Sequence, residues 1–122
     1  MKSILLGFLV ASLLSQQAVA HQGKNLEKAD EMIRCMVYLL KYKYDDFHSA
    51  EEKAEEAKKY EDLAISLSSN EHFNTRLLEV DEQLMMENMA AIGKRTGKET
   101  VDFYDGLIGQ CRIKQAEYQT QS

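Results

Sequence analysis

The sequence predicts an all-α fold: a small four-helix bundle, up-down-up-down in order, with one disulfide between its first and last helices and a cleavable signal peptide ahead of it. Three observations carry this reading. Proline, the strongest helix breaker, is absent from all 122 residues. Apolar side chains recur three or four residues apart from Asn25 almost to the end, the spacing that lines one face of a helix. The two cysteines, Cys35 and Cys111, fall near the middle of the first and last periodic segments, where antiparallel neighbours would bring them level.

The opening segment has the layout of an export signal. Lys2 supplies positive charge, Ile4 to Leu14 is apolar on every side, and Ala18-Val19-Ala20 is an A-x-A cleavage pattern. The apolar run is too short to cross a bilayer, which takes about 20 residues. Cleavage after Ala20 divides the chain into residues 1–20, the signal, and 21–122, one domain. No cysteine follows the cleavage point, so a lipid anchor is not indicated, and a soluble periplasmic or secreted product is expected.

The first helix is expected from about Asn25 to Tyr44. Leu26, Ala29, Ile33, Met36, Leu40 and Tyr44 form its stripe, and Met32, Cys35 and Leu39 widen it enough that partners should surround the helix. Asp45-Asp46-Phe47-His48 breaks the pattern. Ser49 followed by Glu52 matches a capping box and opens a hydrophilic second helix, about Ala50 to Leu67. Its small-residue stripe is Ala50, Ala54, Ala57 and Ala64, joined by Tyr60, Leu63 and Leu67. The run EEKAEEAKKYED reads as a solvated face with pairs such as Glu55–Lys59.

Ser68-Ser69-Asn70 supplies a turn and an N-cap for a third helix, about Glu71 to Ile92. Phe73, Leu77, Leu78, Leu84, Met85, Met89 and Ile92 are its expected buried residues. Gly93 is placed to end it. Thr96 to Glu99 is a second capping box, and the fourth helix runs to about Tyr118 with Val101, Tyr104, Leu107, Ile108 and Cys111 inward. Gly106 and Gly109 either break this helix or let its backbone approach a neighbour beside Cys111; close approach is the expectation.

Charge and composition bound the function. Losing Lys2 with the signal leaves 14 basic against 20 acidic side chains, a net charge of −6. Nucleic acid and anionic membranes are therefore poor partners, since both call for a basic patch. An exported chain with an even cysteine count oxidises them, so Cys35 and Cys111 are expected to pair. No C-x-x-C motif suggests redox chemistry.

Metal handling has only thin support. Met85, Met86 and Met89 are soft thioether donors, and cleavage would expose His21 as an amine–imidazole chelator. Methionine at helical spacing is more often an adaptable core filler, so no cofactor or metal is assigned. No nucleophile elbow, H-E-x-x-H or phosphate loop is present, and the chain is read as a non-enzyme.

What remains is binding to another protein. The most specific expectation is an inhibitor or immunity-type protein acting on a cell-wall-targeting or effector enzyme, its acidic surface suiting a basic cleft. Contact residues are expected at Asp45, Asp46, His48, Glu51 and Glu55, and at Tyr42 and Tyr44, since tyrosines anchor many interfaces. The alternatives are a periplasmic stress chaperone holding clients through an apolar patch, and a copper binder using His21 and the methionines. Sequence alone leaves monomer and homodimer open.

Overall fold

The computed structural model describes residues 25–42 and 49–120. The expected signal segment, His21, Tyr44, Asp45, Asp46 and His48 lie outside them. Among the described residues there are four helices and no strand. Helix α1 covers residues 25–42, α-helical to 37 and π-helical over Tyr38–Tyr42. Helices α2 (Ala50–Leu67), α3 (Asn70–Ala91) and α4 (Gly97–Gln119) follow.

Each later helix starts on a side-chain hydroxyl that satisfies a free backbone amide. Ser49 Oγ accepts from the Glu52 amide at 3.2 Å, Ser69 Oγ from His72 at 3.0 Å, and Thr96 Oγ1 from Glu99 at 3.1 Å. Helix α3 closes into Gly93, whose φ of 84° is left-handed and sterically open to glycine.

Cross-helix pairs fix the directions. Asp30 meets His72 and Arg76, and Lys41 meets Asp81, so α1 and α3 run parallel. Glu31 meets Lys114 and Tyr118, Cys35 joins Cys111, and Tyr42 stacks on Tyr104, so α1 and α4 are antiparallel. Glu56 meets Arg112, and further along both helices Lys59 and Ser66 line one groove with Gln115 and Gln119, so α2 runs parallel to α4. The order is therefore up-down-up-down.

The bundle is not square, however. α2 packs on α1, α3 and α4, and α1 also packs on α4, whereas the α3 and α4 backbones make no close approach. The α1–α2 pair forms the middle and the other two helices flank it. The core follows: Ala29, Met32, Ile33, Leu39, Tyr60, Ala64, Val80 and Ile108 are essentially inaccessible. The disulfide Cys35–Cys111, with Cα atoms 5.7 Å apart, ties α1 to α4 at mid-height.

Several expected core positions are corrected. Leu40 is 53% exposed, because a π-helical turn holds an extra residue and rotates the end of α1, while Val37, just before that turn, is buried. Ala50 and Ala54 are exposed, as α2 enters the bundle only from Ala57. Leu78, Met85, Met89 and Ile92 face outward while Val80 is buried. With no α4 alongside, α3 has one covered face, and these four lie on another. Finally, α4 is unbroken and a Cβ at Gly106 or Gly109 would meet nothing within 4 Å. No neighbour approaches either glycine, since the packed seam runs through Tyr104, Ile108 and Cys111.

Candidate functional site

Of the residues expected to contact a partner, only Tyr42, Glu51 and Glu55 lie among the described ones. Glu51 and Glu55 are exposed on α2. Tyr42, expected at a partner-facing end, is only 8% exposed, and this is a second consequence of the π-helical turn that buries Leu39. Its ring stacks on Tyr104 with centroids 5.2 Å apart and planes 15° off parallel. Tyr104 donates to Asn88 Oδ1 at 2.9 Å, and Tyr38 accepts from Arg34 at 3.1 Å. The aromatic cluster is thus an internal brace at the α1, α3 and α4 junction, with the Tyr38 and Tyr104 hydroxyls hydrogen-bonded, as tyrosines in a packed seam require.

Charged pairs line the seams between helices. Asp30 takes His72 Nε2 at 2.9 Å and Arg76 Nε at 3.2 Å, while Arg76 also bonds Glu79. Arg34 pairs with Glu87 at 3.3 Å, and Arg112 with Glu56 at 2.9 Å. These partly exposed pairs are worth about 0–1 kcal/mol each; their main effect is to fix which helix faces which.

Two tyrosines titrate abnormally. Burial, followed by the Glu56 carboxylate, pushes Tyr60 up to about 12. Burial and the bond to Glu31 push Tyr118 to about 12 as well. Both hydroxyls stay neutral through the ordinary pH range, so neither is poised for acid–base work near pH 7. Among the described residues no three His, Cys, Asp or Glu side chains gather as a metal site. Met85, Met86 and Met89, the thioether candidates, are exposed rather than packed in the core.

The surface that stands out was not among the expected contacts. Leu78 is 75% exposed, Ile92 at the end of α3 is 72% exposed, and Met85, Met86 and Met89 lie between them, all more than half exposed. At 3.6 residues per turn, Leu78, Met85, Met89 and Ile92 fall within an arc of about 60°. Helix α3 therefore carries two apolar stripes. Phe73, Leu77, Val80 and Leu84 pack inward; the other stripe has no cover among the described residues. A helical projection of α3 would have separated the two stripes in the sequence, though not said which one the bundle covers.

Beside this stripe, α1 and α3 enclose a groove of ≈ 250 Å³ lined by Met36, Val37, Leu40, Leu77 and Leu78, with the Lys41–Asp81 ion pair at its edge. Its volume is below the range of about 300–1,000 Å³ usual for small-molecule sites and suits a single inserted side chain. The arrangement can bind; the two ionisable side chains that line it, Lys41 and Asp81, are paired with each other. Comparison with known proteins adds no identity: the chain matches no family model, no curated protein and no solved structure.

Proposed function

We propose that the chain is an exported, non-catalytic protein-binding module, most specifically an inhibitor or immunity-type protein acting on a wall-targeting or effector enzyme, and that it binds through the outer face of α3. The observation carrying this is the row Leu78, Met85, Met86, Met89 and Ile92, left exposed on one helix of a small bundle. Contiguous apolar surface on a soluble domain marks an interaction site. The disulfide and interhelical pairs support the reading, since a rigid scaffold loses little freedom on binding.

The test is capture of the enzyme partner from the native compartment by tagged protein, compared with the Leu78→Glu, Met89→Glu double variant. One saturable partner, lost in the variant and inhibited by the wild type, is the expected result. Equal capture by both would refute the assignment of the face.

A second reading is favoured by the three methionines. Their flexible thioethers adapt to unlike surfaces, which suits a chaperone that holds unfolded clients. That reading requires suppression of heat-induced light scattering for several unrelated client proteins; an inhibitor leaves their aggregation unchanged.

A further inference from the structure

We infer that the element recognised by this face is a basic amphipathic segment, which seats one apolar side chain in the α1–α3 groove and sets a lysine or arginine against Glu82. This deepens the protein-binding reading above and rests on it. The groove lined by Met36, Val37, Leu40, Leu77 and Leu78 supplies the anchor site, the kind of pocket in which a buried hot-spot side chain sits.

The charge requirement comes from where Glu82 stands. It lies four residues after Leu78 and four before Met86, between the two on the helix surface, and it is exposed. The neighbouring acids already have cations: Glu79 has Arg76, Asp81 has Lys41 and Glu87 has Arg34. Glu82 pairs with no cation among the described residues. Any partner that covers Leu78, Met86 and Met89 covers this carboxylate too. A carboxylate shut from water without a counter-charge is strongly unfavourable, so the partner must bring the cation. The helix as a whole agrees: across Asn70–Ala91 the acids are Glu71, Glu79, Asp81, Glu82 and Glu87, against Arg76 alone among lysine and arginine.

A second copy of this chain meets the requirement poorly. Parallel pairing on the stripe sets Glu82 against Glu82, and antiparallel pairing centred on Met85 sets it against Asn88. Neither supplies a cation. A basic helix laid in an apolar groove supplies both the anchor and the charge, a recurring mode of peptide recognition.

Two designed peptides test this. Each is an amphipathic helix of about five turns with the same leucine and phenylalanine face; the polar face is lysine in one and glutamate in the other. Fluorescence anisotropy with the purified chain should show saturable one-to-one binding of the lysine peptide and binding of the glutamate peptide at least about ten-fold weaker. Glu82→Gln should weaken the lysine peptide by about ten-fold, and Leu40→Ser with Leu78→Ser should abolish its binding. Asp102→Asn with Glu117→Gln, exposed on α4, should change nothing.

Equal binding of the two peptides, or lysine-peptide binding indifferent to Glu82→Gln and to the groove variant, overturns the inference. So does sedimentation showing a dimer that the groove variant dissociates. The two proposals fail separately. If the Leu78→Glu, Met89→Glu protein loses its native partner while the peptides are not discriminated, only the basic-segment inference falls. If that variant keeps its partner, the α3 assignment falls and the inference falls with it.

Discussion

Reduction of Cys35–Cys111 is the perturbation whose effect the structure sizes most directly. The bond links residues 76 apart in sequence, so in the unfolded chain it closes nearly the whole described length into one loop. In the chain-entropy account, closing such a loop removes about 15 cal/mol/K from the unfolded ensemble, or about 4.5 kcal/mol at 25 °C. A domain of this size is stable by about 5–15 kcal/mol in total, so the bond supplies a large share. Both cysteines are nearly inaccessible, at 4% and 5%, so reduction should be carried out in denaturant and followed by refolding. Urea titrations of the oxidised and reduced protein, followed by far-UV circular dichroism, then compare the two. With a slope of about 1–2 kcal/mol per molar urea, the midpoint should fall by about 2–4 M. The slope itself should rise on reduction, because the opened chain exposes more surface when it unfolds. A midpoint shift under about 0.5 M at unchanged slope would refute the reasoning, and would mean that the reduced unfolded chain is already as restricted as the cross-linked one.

Two further outcomes follow from particular residues. Gly106→Ala and Gly109→Ala should each stabilise the protein by about 0.5–1 kcal/mol, since the new methyl meets nothing within 4 Å and alanine is the better helix former. Loss of stability in thermal unfolding at either position would show that a neighbour does press on that site. Tyr60 governs behaviour at alkaline pH: its folded-state value is raised to about 12 from 10.0, so its contribution is complete below pH 10 and is lost as pH climbs through 12. The loss should be no more than about 2–3 kcal/mol. Chemical denaturation between pH 9 and 12 should show Tyr60→Phe losing less stability than wild type, with a remainder from Tyr118, which is raised in the same direction.

Local physics made most of the architecture legible. The absence of proline, the hydroxyl caps at Ser49, Ser69 and Thr96, and the apolar spacing on α1 and α2 each depend on neighbours a few residues away. The helix count, the Ala50–Leu67 bounds of α2 and the Cys35–Cys111 pairing could therefore be reasoned from residue order. The candidate site could not. A stripe of apolar residues states only that something should cover it, and Leu78, Met85, Met89 and Ile92 read like core. Which stripe of α3 is covered depends on the flanking position of α4, set by packing across the bundle. Likewise the π-helical turn at Tyr38–Tyr42 rotates Leu40 outward and Tyr42 inward, a shift of one residue that no periodicity reveals beforehand. Residue order determined the helices and their staple; long-range packing decided which apolar face was left outside, because burial is a property of neighbours and not of the residue itself.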